Sequence, residues 1–61
     1  MKKYEMIHQL KNRVAYNEDQ RAYYEDLFEK EGLETWLEMA EWFKGKIVAF
    51  NIAIEMAEEL S

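Results

Sequence analysis

Between Ile47 and Ala57 only Asn51 and Glu55 are polar, inside a run, KIVAFNIAIEMAEEL, that spans Lys46–Leu60. A segment that apolar has to be covered on more than one side, and little chain is available to cover it. The whole sequence is 61 residues long. A domain of that size buries only about 60% of its unfolded surface, so it is marginal without a staple or a partner. Cysteine is absent, which removes disulfides and thiolate metal sites and leaves no sign of a redox compartment. A hydrophobic content of 49%, with 15% aromatic residues, excludes a disordered chain. Association with another copy is the remaining route to stability.

The pattern around the run is helical. Trp36, Phe43, Phe50 and Ala57 recur every seventh residue, and so do Leu33, Ala40, Ile47 and Ile54. Ile, Val and Phe would also suit a strand at 47–54, but no second segment offers it a partner strand. A helix over about 34–59 follows. Gly45 sits off its core stripe, at a cost of about 1 kcal/mol relative to Ala, as expected of a kink or a close backbone contact.

Upstream, the first 31 residues hold no Gly or Pro and are rich in good helix formers. Ile7, Leu10, Val14, Tyr24 and Phe28 share a stripe roughly 100° wide, with Met6 at its edge, which gives a helix over about 3–30. Asn17 and Arg21 interrupt that stripe. Asn17-Glu18-Asp19-Gln20 resembles a helix start with a capping box, so a break there is one reading. A continuous helix with a polar layer is the preferred one, since nothing enforces a break. In that layer Asn17 and Arg21 face Phe43–Ile47 and fix register, with Arg21 stacked on an aromatic ring or paired with Glu41.

Gly32 is the clear stop, following Lys30 in the last turn. Two helices of nearly equal length, each roughly 40 Å, joined by one Gly-centred turn make an antiparallel hairpin, a single domain over 1–61. Folding about Gly32 pairs Phe28 with Trp36, Tyr24 with Ala40, Val14 with Phe50 and Leu10 with Ile54.

A second stripe remains. Trp42, Ala49, Ala53, Met56 and Leu60, with Ile52 alongside, lie roughly 130° from the core stripe of the second helix. Tyr16, Tyr23 and Leu27 form a shorter stripe on the first. An apolar patch of that extent on a soluble chain marks an interface, and the expectation is a two-fold homodimer of hairpins, an all-α four-helix bundle. Residues 1–17 carry a net +3 and residues 18–41 a net −7 within an overall −5. Head-to-tail packing brings each acidic turn region to the partner's basic N-terminal region, so the hairpins are expected to be antiparallel.

Few residues suggest chemistry. Glu5-Met6-Ile7-His8 resembles the Glu-x-x-His of ferritin-like bundles, which implies an iron- or zinc-binding alternative. In that family the pair points inward, whereas here it lies about 150° from the core stripe. His8 is the only histidine, and the only serine is the terminal Ser61, so Ser–His and Cys–His nucleophiles are excluded. No Gly-rich phosphate loop is present, and neither an enzyme nor a cofactor is expected. Lys2, Lys3, Lys11 and Arg13 are offset at the open end by Glu58 and Glu59, and the net charge opposes nucleic-acid binding. The apolar run 47–57 falls short of the roughly 20 residues of a membrane span, and no leader pattern follows the first lysines. The chain reads as soluble and cytoplasmic.

The acidic end is then the candidate site. Glu25, Asp26, Glu29, Glu34, Glu38 and Glu41 offer a negative surface to a protein with a basic groove, with Tyr23, Trp36 and Trp42 as aromatic anchors. The expected role is an inhibitor or regulator of another macromolecule. In size and charge the chain resembles viral products that block host enzymes or defence systems. A self-assembling structural unit growing through the second stripe is the alternative.

Overall fold

In the computed structural model of the chain, which describes residues 2–60, helix α1 runs over Lys3–Glu31 and α2 over Glu34–Glu59. The two pack against each other along their length as an antiparallel hairpin, and the described residues are otherwise the short connections at their ends. Ser61 lies outside the described residues.

The turn is built from its own chemistry. Gly32 takes φ 70° and ψ 13°, the left-handed conformation that glycine reaches without a Cβ penalty. Its N–H donates to the Phe28 carbonyl at 2.7 Å and closes the last turn of α1. The Trp36 indole N–H then donates to the Glu31 carboxylate at 3.2 Å, tying the start of α2 to the end of α1. Leu33 was expected on the core stripe, yet it is exposed. It caps α2 in an extended conformation, so its side chain follows the turn rather than the helical period.

Between the helices, Ile7, Ile54 and Ala57 form a buried cluster, with Met6, Leu10 and Val14 packed around it. Ala40 and Phe43 are buried nearer the turn, and Trp36, Ile47 and Phe50 are half-buried. Both heptad positions therefore face α1, in the register expected from folding about Gly32. At the turn end Tyr24 stacks on Trp36 and on Phe43, with ring centroids 5.8 and 5.7 Å apart.

α1 is unbroken through Asn17. The Asn17 amide is buried and donates to the Arg13 carbonyl at 2.6 Å, bonding back onto its own helix instead of starting a new one. Arg21 pairs neither with Glu41 nor with a ring: its guanidinium donates to Glu25, one turn on, at 2.9 Å. A long side chain at the edge of the layer keeps its charge in water more cheaply than it crosses to α2. α2 runs unbroken through Gly45, which makes no close contact inside the hairpin, where a Cβ would have no neighbour within 4 Å.

Two helices make only one layer. The Cα extents are 47 × 14 × 12 Å and the radius of gyration is 14.2 Å, against about 10.5 Å for a compact domain of this length. The accessible surface, 4826 Å², likewise exceeds the roughly 4,200 Å² expected for this mass.

Candidate functional site

Three surface grooves define the candidate interface, two of them between the helices and one on α2 alone. Near mid-length, Asn12, Arg13, Tyr16 and Asn17 of α1 meet Lys46 and Phe50 of α2 around a groove of about 280 Å³. At the open end, Met6 and Leu10 meet Ala53, Met56, Ala57 and Leu60 around an almost wholly apolar groove of about 380 Å³. Toward the turn, Thr35, Glu38, Met39 and Trp42 line a third of about 430 Å³. Lys46 links the first and third, since its ammonium sits 4.4 Å from the centroid of the Trp42 ring.

Of the two secondary stripes, Tyr16, Trp42, Ala53, Met56 and Leu60 line these grooves, while Tyr23, Leu27, Ala49 and Ile52 line none of them. Tyr16, Tyr23, Trp42, Ala49, Ile52, Met56 and Leu60 are exposed, and Leu27 and Ala53 are half-buried. Trp42 is 56% exposed and Met56 63%, so the largest apolar side chains of the outer stripe are left uncovered by the hairpin. Hydrophobic burial is worth about 25 cal/mol per Å², which makes such a face costly to leave in water. Sequence reasoning omitted Met6 and Leu10 from the face because their main role is in the core. For Met6 the wheel position at the edge of the core stripe was the available signal. It also omitted Lys46, whose i,i+4 spacing from Trp42 places a cation over the ring.

The acidic residues are all exposed. Glu25 is engaged by Arg21 and Asp26 by Lys30 at 2.8 Å, and that hydrogen bond with its Coulomb attraction raises the pKa of Lys30. Glu29, Glu34, Glu38 and Glu41 have no ion-pair partner among the described residues. Together with Glu31, which accepts only the neutral Trp36 indole N–H, these four carry the unneutralised charge of the turn end. At the opposite end Lys3 reaches the carbonyls of Glu58, at 3.1 Å, and Leu60. The expected compensation between lysines and the Glu58 and Glu59 carboxylates is thus a cap on the α2 C-terminus, where the helix dipole and unpaired carbonyls favour a cation.

Glu5 and His8 are both exposed, facing solvent and not α2, and no three histidine or carboxylate groups gather among the described residues. No helix among them is long and apolar enough to cross a membrane.

The fold and face define a two-helix hairpin with one uncovered apolar side and an acidic end. Compared with known protein families, with curated proteins and with solved structures, the chain has no match.

Proposed function

We propose that the chain is a cytoplasmic, non-catalytic binding module that works as a homodimer and inhibits or regulates a protein with a basic surface. The observation that carries this reading is the division of its surface. The apolar face, with Trp42 and Met56 more than half exposed, asks for a partner of like character. The free carboxylates Glu29, Glu34, Glu38 and Glu41 offer instead a charged surface that steers and selects a basic one. The viral form of the proposal, a blocker of host enzymes or defence systems, is supported by size and charge alone.

Sedimentation of the wild-type chain tests the first half, with a dimer expected at micromolar concentration and a monomer overturning it. Affinity capture tests the second, using wild type beside a variant with Glu29, Glu34, Glu38 and Glu41 all changed to Lys. A protein held by wild type, released by salt and lost by the variant supports the reading. If the variant retains everything that wild type retains, the acidic end serves solubility only.

A further inference from the structure

The outer face of α2 is self-complementary about one residue. Trp42 is its largest projection, braced edge-on by Phe43 at 4.9 Å and covered on one side by Lys46. The open-end groove of Met6, Leu10, Ala53, Met56 and Leu60 is the most apolar of the three hollows. Trp42 and Met56, the middle of that groove, lie seven residues to either side of Ala49, about 10.5 Å along the axis each way. Gly45 and Ala53 lie four residues to either side of it.

Resting on the dimer reading above, we infer that the second copy packs α2 against α2, antiparallel, on a two-fold axis at Ala49. Each Trp42 then enters the groove between Met6, Leu10, Met56 and Leu60 of the other copy. In this register Ala49 faces its own copy and Gly45 faces Ala53, so only small side chains lie where the helices approach closest. It gives Gly45 a reason that the hairpin does not, because a Cβ there meets nothing within one chain. Charge favours the same orientation. The open half balances Lys2, Lys3, Lys11 and Arg13 against Glu5, Glu55, Glu58 and Glu59, whereas residues 18–41 hold −7, so a head-to-tail pair keeps the two acidic ends apart. In this register residues 39–59 of the two α2 helices overlap, about 31 Å of axis, which at the 14 Å width of the layer amounts to about 430 Å² per copy and about 870 Å² for the pair, a small interface.

The chain lacks cysteine, so Ala49→Cys installs a lone thiol at the axis. Closely packed helices bring facing Cα atoms to about 4–6 Å, inside the range a disulfide spans. Under mild oxidation more than half of the Ala49→Cys chains should be recovered as a disulfide-linked dimer with wild-type helicity. Val48→Cys, exposed and turned about 100° away, should yield only a trace. A wild-type chain that sediments as a monomer overturns the dimer and this register together. A wild-type dimer in which Ala49→Cys links no better than Val48→Cys overturns the register and leaves the dimer standing.

Discussion

Replacing Asn17 with Leu is the most direct probe of what holds the two helices in register. Asn17 is only 2% exposed, yet its Oδ1 has no hydrogen-bond partner. A buried acceptor left unpaired costs about 1–3 kcal/mol. The one bond the side chain makes, from Nδ2 to the Arg13 carbonyl, is a second bond to an oxygen the helical ladder already uses, worth about 1 kcal/mol. Leucine removes both terms, gains about 0.5 kcal/mol of helix propensity, and places its extra methyl groups toward the groove beside Lys46 and Phe50. The expected net gain is about 2 kcal/mol, or a rise in Tm of about 8–16 °C for a domain this small. Circular dichroism melts should be run at one fixed chain concentration, because an associating protein melts higher when concentrated. A Tm that stays level or falls would refute the reasoning and assign Oδ1 a partner of its own, such as an ordered water. If the polar layer also selects register, sedimentation of the leucine variant should show mixed species where wild type shows one.

Two further substitutions test the ends of the hairpin. Gly32→Ala forces a Cβ into the left-handed region at φ 70°, with no steric neighbour to add to the penalty, so urea unfolding should show a loss of about 1–2 kcal/mol from backbone strain alone. Lys3→Met keeps the apolar stem but withdraws the ammonium from the Glu58 and Leu60 carbonyls. It should cost under about 1 kcal/mol and speed amide exchange in the last turn of α2, while equal acceleration at the turn end would sink the capping assignment.

How much of this was legible depends on whether a feature follows from period or from side-chain reach. The faces of α1 and α2 are set by a 3.6-residue period, so the buried Ile7, Phe43, Ile54 and Ala57 could be placed from spacing alone. Leu33 obeyed the spacing and escaped the core because two residues of non-helical turn reset the period. Asn17-Glu18-Asp19-Gln20 has the letters of a helix start, but capping is one local option among several, and the Asn17 Nδ2 instead donates to the Arg13 carbonyl within a continuous helix. Arg21, Lys3 and Lys46 are long and flexible. A wheel gives the direction of their Cβ but not the choice among a carboxylate one turn away, a pair of helix-end carbonyls and an indole face. The same limit governs the candidate interface. Val48 and Ile52 are almost equally exposed, at 56% and 52%, so exposure by itself does not separate a docking face from an idle one. What separates them in the proposed dimer is pairing across the two-fold: Ala49 meets its own copy and Gly45 meets Ala53, so small residues fall where the helices approach closest, while Trp42 meets the groove beside Met56.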